Sequence, residues 1–198
     1  MSTSWCGHPT AGGSASASCA CCGRKETRRF SEAELPVTHY EKVDVYPIDP
    51  PELERILREQ NECVFCWATR DHWPIGMIMS YIWRDGRFWL TAARQRKRIQ
   101  ALERDDRVAL SVSSVGTSLG PARGITVKGR CVIRDDRPTK DWFYPALSAA
   151  VVPGDARGQE AFGAMLDSPN RVIFEVEPLK WFTFDAIKMM QDSLFPKA

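Results

Sequence analysis

The sequence has little of what several functional classes require. Only three of its 198 residues are histidines, and we find no persuasive Ser-His-Asp set, paired-carboxylate site or His-rich metal cluster. No hydrophobic run has the length of a transmembrane helix, and the first 30 residues lack the basic start and apolar centre of a signal peptide. These absences predict a cytoplasmic protein with no membrane partner, no metal site and no assignable catalytic side chain.

A strong charge of one sign is also missing. The formal net charge is +2, too small to indicate a general nucleic-acid binder, so any electrostatic function must be local. Large apolar residues are nearly absent between Cys6 and Arg29, where Ser, Ala and Gly dominate. We therefore predict a disordered Ser/Ala/Gly/Cys-rich tail over residues 1–38 and one folded domain over residues 39–198.

The seven cysteines do not indicate a disulfide framework, because their number is odd and nothing indicates secretion. Cys63 and Cys66 have a C-x-x-C spacing. Residues three apart on a strand point to opposite faces, which favours small buried hydrophobes over a metal or redox pair. The tail has enough candidate metal ligands for a four-ligand site, namely Cys6, His8, Cys19, Cys21 and Cys22. Their spacing matches no familiar zinc module.

The most informative stretch runs from residue 74 to residue 110. Asp85-Gly86 separates two apolar, aromatic-rich segments, which predicts a β-hairpin. Four basic residues follow its second strand: Arg94, Arg96, Lys97 and Arg98. Ile99 and Leu102 then have the spacing of a short helix. A helix N terminus beside these cations suits a phosphate group, although a basic run is also typical of a solvated helix face.

This stretch resembles the FMN-binding split-barrel family, which includes pyridoxamine 5'-phosphate oxidases and their deazaflavin-using relatives. The family pattern is a strand ending in Thr, a turn with Ser-Arg-Lys or Ser-x-Lys, and a helix that runs into Asp-Pro-Arg-Val. Here it appears as Leu90-Thr91, Gln95-Arg96-Lys97 and residues 104–108, RDDRV. Gln95 replaces the family's Ser, and Asp106 replaces its Pro.

The resemblance extends over about residues 48–190. Residues 124–135 (GITVKGRCVIRD) resemble a family strand with two spaced glycines, and Lys180 to Asp185 with Lys188-Met189 stand at the place of its closing strand. The resemblance implies a mostly β fold. That fold is a six-stranded, antiparallel Greek-key split barrel with a few flanking helices, α+β overall.

Local patterns predict the individual elements. Asp49 and two prolines predict the start of a helix that ends near Gln60. A glycine at position 129 predicts a bulge or a close approach. Pro145 is expected to kink or split a helix, and Pro178 to separate the last two strands. Strands are predicted over 62–69, 76–83, 87–91, 107–113, 124–135, 171–177 and 180–184, and later helices over 139–151 and 155–166.

The resemblance also implies a cofactor site. Arg96 and Lys97 would hold a phosphate, assisted by Arg94 or Arg98, and Thr91 would contact the phosphate or ribityl chain. The strand from residue 77 to residue 81 would lie beside the redox ring, although its residue types alone favour core positions. The cofactor-binding residues predicted in this way are Met77, Ile78, Met79, Ser80, Tyr81, Thr91, Arg96 and Lys97.

The implied cofactor is FMN or the deazaflavin coenzyme F-420, since each presents a phosphate on a ribityl-type chain. The implied activity is hydride transfer between this cofactor and a conjugated small-molecule substrate, with the chemistry supplied by the ring. The overall pattern is most similar to deazaflavin-dependent actinobacterial members. By the same resemblance we expect a homodimer with two cofactor sites at its interface.

Two rival functions are compatible with the residues. One is a split barrel that binds a cofactor or haem without turnover, as a store, carrier or sensor. The other is a small nucleic-acid-binding barrel, in which the Arg94 to Arg98 cluster would neutralise phosphates and Trp83, Phe88 and Trp89 would stack on bases. The charge is confined to one short segment, so we expect no nucleic-acid partner.

Overall fold

A computed structural model describes residues 45–195 of the chain; the predicted tail and its cysteines lie outside this range. A short helix leads into antiparallel strands, two helices precede the last strand, and a final helix follows it. The helices are α1 (Pro50–Glu59), α2 (Lys97–Arg104), α3 (Arg137–Val151), α4 (Ala156–Leu166) and α5 (Ala186–Leu194). The strands are β1 (Glu62–Ala68), β2 (Pro74–Ser80), β3 (Ile82–Arg84), β4 (Arg87–Ala93), β5 (Arg107–Ser113), β6 (Arg123–Arg134) and β7 (Arg171–Asp185).

The strands form one antiparallel sheet in the order β2-β1-β5-β6-β7-β4-β3. Its edge strands, β2 and β3, are consecutive in the chain and are separated only by Tyr81, whose N–H donates to the Asn61 carbonyl at 2.9 Å. The sheet therefore curls until its two edges meet, as the split-barrel prediction requires. The family resemblance implied six strands, whereas the structure has seven within residues 45–195. Relative to the local predictions, it divides residues 76–83 into two strands and joins residues 171–177 and 180–184 into one.

The hairpin and the bulge are where the sequence places them. Asp85 and Gly86 have φ values of 55° and 70°, the left-handed conformation that a two-residue type I′ turn needs at both positions. The register of β6 against β7 shifts between Lys128 and Gly129. A Cβ atom at Gly129 would lie 2.6 Å from the Glu177 carbonyl oxygen, so the close approach of the strands requires glycine there.

Two local expectations fail, a break at Pro178 and a split at Pro145, and one helix is additional to those predicted. Pro178 does not end a strand, and β7 continues through it. The register shift leaves Leu179, the next residue, without a register partner in β6, and a proline is tolerated beside such a bulge. Pro145 does not split α3, which spans Arg137–Val151 as one helix. Helix α5 was not predicted; it begins at Asp185, whose carboxylate accepts two backbone N–H groups of its first turn.

Two apolar clusters hold the elements in place. Alternation along β4 buries Phe88, Leu90 and Ala92 in the barrel interior, where they join side chains from the other strands and from α1 and α2. The opposite face of β4 carries Trp89, which packs edge-on against Trp142 of α3 at 4.9 Å. The barrel interior fixes the position of α2, which follows β4 directly.

Among the helices of residues 45–195, none combines the length and the apolar character that crossing a bilayer would require.

Candidate functional site

The N terminus of α2 presents unneutralised positive charge. Arg96 is the N-cap and accepts the Ile99 N–H at 2.9 Å, while the first-turn N–H groups of Lys97 and Arg98 have no partner within the helix. The first turn contains no acidic residue, and the side chains of Arg96 and Lys97 are exposed. Within residues 45–195 neither side chain forms an ion pair. Helix dipole, N–H groups and cations therefore favour an anion at this point.

Arg98, the next residue, is buried. Its fractional exposure is 8%, its Nη1 lies 3.0 Å from the Met79 Sδ, and its guanidinium lies 5.5 Å from the centre of the Trp67 ring. No carboxylate of the described residues pairs with it. Burial, and then the neighbouring Arg96 charge, lower the pKa of Arg98 below its ordinary value. A desolvated cation without a counter-charge costs free energy, which an anionic ligand at the α2 N terminus would offset.

Strand β2 lies beside this cluster and has two different faces. Met77 and Met79 lie on one face, as shown by their pairing with the inward-facing Phe65 and Cys63 of β1. Met77 is 45% exposed, whereas Met79 packs against the barrel core and contacts Arg98. The structure thus brings Met79, and with it the face of β2 that carries Met77, next to Arg98 of the basic run.

Ile78 and Ser80 are on the other face of β2, away from Met77 and Met79. Ile78 pairs with Val64 of β1 on the outer surface of the sheet and is 68% exposed. Tyr81 is buried, and its hydroxyl donates to the Leu57 carbonyl at 3.2 Å. Only the backbone of Tyr81 is therefore available to a ligand beside the strand.

Thr91 does not face the barrel interior. Its hydroxyl donates to the Val172 carbonyl at 2.8 Å and lies next to the buried Tyr144 of α3. A ligand that contacts this hydroxyl must approach from the α3 side of β4. The structure thus separates the Thr91 side chain from the face of β2 that carries Met77.

The basic run divides into two groups. Arg94 forms an ion pair with Asp135, which also binds Lys140 at 2.5 Å. Arg94 is thus already neutralised, and of the two residues expected to assist, Arg98 has no carboxylate partner within residues 45–195. Helical spacing could have revealed its burial, since Arg98 precedes the buried Ala101 and Leu102 by three and four residues.

The C-x-x-C pair does not converge. The Cys63 thiol lies inside the barrel, 3.6 Å from the Met79 carbonyl oxygen, while Cys66 lies on the outer face with Val64. Burial raises the pKa of Cys63 to about 12 and also raises the pKa of Cys66. Both thiols are therefore protonated at neutral pH. Within residues 45–195, no three His, Cys, Asp or Glu side chains are grouped as metal ligands.

The aromatic residues near the basic run pack inside the protein. Phe88 is fully buried, Trp83 contacts the rings of Phe88 and Trp181 edge-on, and Trp89 packs against Trp142. Stacking on a base requires an exposed ring face. The arrangement at α2 therefore suits a compact anionic group with an adjacent apolar body, rather than a row of stacked bases.

Comparison with known proteins gives a consistent result. Residues 49–185 match the sequence model of a family described as pyridoxamine 5'-phosphate oxidase. No curated protein matches the chain. Similar solved structures include a conserved hypothetical protein of Mycobacterium tuberculosis, with a TM-score of 0.62 and 17% identity over 72% of this chain and 88% of that one.

Two further structures carry informative names. A FAD-binding protein of Mesorhizobium loti has a TM-score of 0.51 and 16% identity, over 69% of this chain and 92% of that one. A protein described as an F420 reductase has a TM-score of 0.50 and 22% identity, over 65% of this chain and 94% of that one. At these identities the likenesses show the fold alone.

Proposed function

Because the chain belongs to the pyridoxamine 5'-phosphate oxidase family, we propose that it is an oxidoreductase that binds FMN or coenzyme F-420. The reaction is hydride transfer between the cofactor and a conjugated small molecule. The flavin-binding and F420-reducing proteins among the structures of similar fold support this cofactor class.

The observation that carries the proposal is the buried guanidinium of Arg98 at the N terminus of α2. Arg98 has no carboxylate partner within residues 45–195 and contacts both Met79 of β2 and Trp67 of β1. It therefore joins the anion-binding end of α2 to the strand beside which a ring would lie. A phosphorylated ring system matches this arrangement, with its phosphate at the N terminus of α2 and its apolar ring beside β2.

Each part of the site has a distinct task. Lys97 and Arg96 bind the phosphate with charge-assisted hydrogen bonds, and Arg98 orients it from the buried side. Met77 presents an exposed apolar side chain to the ring. When bound, a flavin or deazaflavin ring supplies the hydride chemistry, and the chain supplies position and exclusion of water.

The same proposal includes a homodimer. Val64 and Ile78 are 38% and 68% exposed at neighbouring positions on the outer face of β1 and β2. Ser111 and Thr126 extend this face with small uncharged side chains that are hydrogen bonded to each other at 3.1 Å. This patch of four uncharged side chains, which includes the exposed Ile78 of an edge strand, suits a second copy of the chain.

Cofactor titration tests the proposal. The purified protein is titrated with FMN and with coenzyme F-420 by fluorescence, as the native chain, as Lys97→Ala and as Arg157→Ala. Arg157 is an exposed cation of α4 and controls for loss of charge. We expect tight binding of one cofactor, a loss of about ten- to a hundredfold for Lys97→Ala, and no change for Arg157→Ala. Equal affinities in all three proteins would remove Lys97 from the site, and a bound cofactor that never cycles between redox states would indicate a carrier.

A further inference from the structure

A second cationic surface lies on the outer face of the sheet. The register pairs Arg107 of β5 with Arg130 of β6, and Lys128 of β6 with Lys180 of β7. Like charges that face each other across neighbouring strands destabilise a sheet. Arg130 also faces Glu177 of β7, so only the lysine pair lacks a nearby carboxylate within residues 45–195. That pair is unfavourable for the fold itself, which indicates that its charges serve another purpose.

The four cations are not equivalent. Arg107 binds Asp105 at 2.7 Å and Arg130 binds Asp106 at 2.6 Å, so that each arginine has its own carboxylate. The side-chain and backbone hydrogen bonds from Arg107 hold the pKa of Asp105 well below its usual range. The two lysines form no ion pair within residues 45–195. Both of their ammonium groups instead lie over the ring of Phe182, at 5.6 and 5.1 Å.

A cleft of about 490 Å³ opens beside these residues. Trp67, Pro74 and Leu179 contribute apolar surface, and Leu179 is 60% exposed. Lys128, Arg107 and Arg130 form its cationic side, where Asp105, the partner of Arg107, is also present. The cleft continues into a recess that adds Arg70 and Arg104 to the positive charge.

Trp67 connects this cleft with the cofactor site. Trp67 is among the residues that line the cleft, and its ring lies 5.5 Å from the guanidinium of Arg98. The cleft therefore begins where the proposed cofactor site ends, and a molecule in it would lie one side chain away from that site.

We propose that this cleft binds a conjugated small molecule with at least one acidic group, held by Lys128 over the apolar surface of Trp67, Pro74 and Leu179. Lys180, the cross-strand partner of Lys128, adds its charge from the neighbouring strand. The assignment of this small molecule as the substrate of the hydride transfer rests on the function proposed above; the binding itself does not. The combination of an apolar floor and a cationic edge favours an amphipathic aromatic anion over the backbone of a nucleic acid, which needs no floor of this kind.

A matched pair of probes tests the binding in protein without added cofactor. Anilinonaphthalene sulfonate carries an acidic group, and N-phenyl-1-naphthylamine has the same ring system without it. Both are titrated by fluorescence into the native chain and into Lys128→Gln/Lys180→Gln. The control is Arg55→Gln/Arg157→Gln, which removes the same charge from exposed positions on two helices.

We expect the lysine variant to bind the sulfonate about tenfold more weakly, since each cation contributes a few-fold. The neutral probe should bind equally to all three proteins, and the control should change the sulfonate affinity less than twofold. The lysine variant should unfold at the same temperature as the native chain or higher, because a like-charge pair is removed.

Equal loss of sulfonate binding in the control, or no loss in the lysine variant, would overturn the proposal. So would a short single-stranded oligonucleotide that displaces the sulfonate with an affinity that falls steeply with salt, since the surface would then bind nucleic acid. If the cleft fails this test while FMN or F-420 binds tightly, the cofactor site stands and only the cleft is rejected. If the sulfonate binds as expected while neither cofactor binds, only the cofactor site is rejected.

Discussion

Arg98→Met removes a buried guanidinium and keeps a long unbranched side chain in its place. Arg98 is 8% exposed, and no carboxylate of the described residues neutralises it. Replacing a buried ion pair by apolar groups of similar volume is often neutral or stabilises a protein by about 1–4 kcal/mol, and a single buried cation lacks even the attraction of a partner. The contact with Trp67 opposes this gain, because a cation–π interaction contributes about 0.5–1 kcal/mol. We therefore expect a net increase of about 1 kcal/mol in the free energy of unfolding.

The same substitution should weaken cofactor binding. A hydrogen bond to a charged partner contributes about 1.5–3 kcal/mol, which corresponds to about a ten- to hundredfold change in Kd. The variant is thus expected to be more stable and less active at once. A gain in stability together with a loss of affinity distinguishes a residue that serves binding from one that serves packing.

Two measurements on the cofactor-free protein and its complex test this reasoning. Thermal unfolding should show a midpoint raised by about 2–4 °C, the shift that about 1 kcal/mol produces in a domain of this size. Fluorescence titration gives the Kd for FMN or F-420. Arg96→Met is the control from the same turn, and its exposed side chain should affect affinity but not stability. A destabilised Arg98→Met with native affinity would show that Arg98 acts through packing alone.

Three further predictions concern the fold and its surfaces. Gly129→Ala should lower the free energy of unfolding, measured by urea titration, by about 1–3 kcal/mol, because the added Cβ would lie 2.6 Å from a backbone oxygen. Gly124→Ala is the control, since a Cβ there meets nothing within 4 Å, and it should not show this large loss. At pH 9 an unfolded cysteine is largely thiolate, but burial raises the pKa values of Cys63 and Cys131 to about 12. Peptide mapping should therefore find both unalkylated by iodoacetamide unless urea is added, and rapid native alkylation would refute the burial. Ile78→Glu should convert a dimer into a monomer by light scattering; an unchanged mass would exclude this face as the interface.

Much of the fold follows from short-range signals. The alternation of β4 and the Asp85-Gly86 turn predict a hairpin whose structure needs no tertiary information. Pro178 gives a wrong prediction because a proline ends a strand only where the hydrogen-bond ladder is regular. Here the ladder is interrupted by a bulge, which depends on the pairing with Gly129 of another strand. Local patterns cannot report such a pairing.

The site was harder to predict than the fold. The sequence indicates a cationic turn, but four basic residues look alike until Asp135 neutralises Arg94 and the barrel buries Arg98. Likewise, Ile78 and Met77 are similar residue types, and only the register with β1 places them on opposite faces. The paired lysines of β6 and β7 are far apart in sequence, so their meeting depends entirely on the sheet.

The measurement that tests the central claim most directly compares a phosphorylated cofactor with its phosphate-free counterpart. Affinities of FMN and riboflavin, or of F-420 and the corresponding phosphate-free deazaflavin, are measured for the native chain and for Lys97→Ala. If the N terminus of α2 holds the phosphate, the native chain prefers the phosphorylated form, and the variant loses about ten- to a hundredfold of that preference. The affinity for the phosphate-free form should not change. An undiminished preference in the variant would contradict the account.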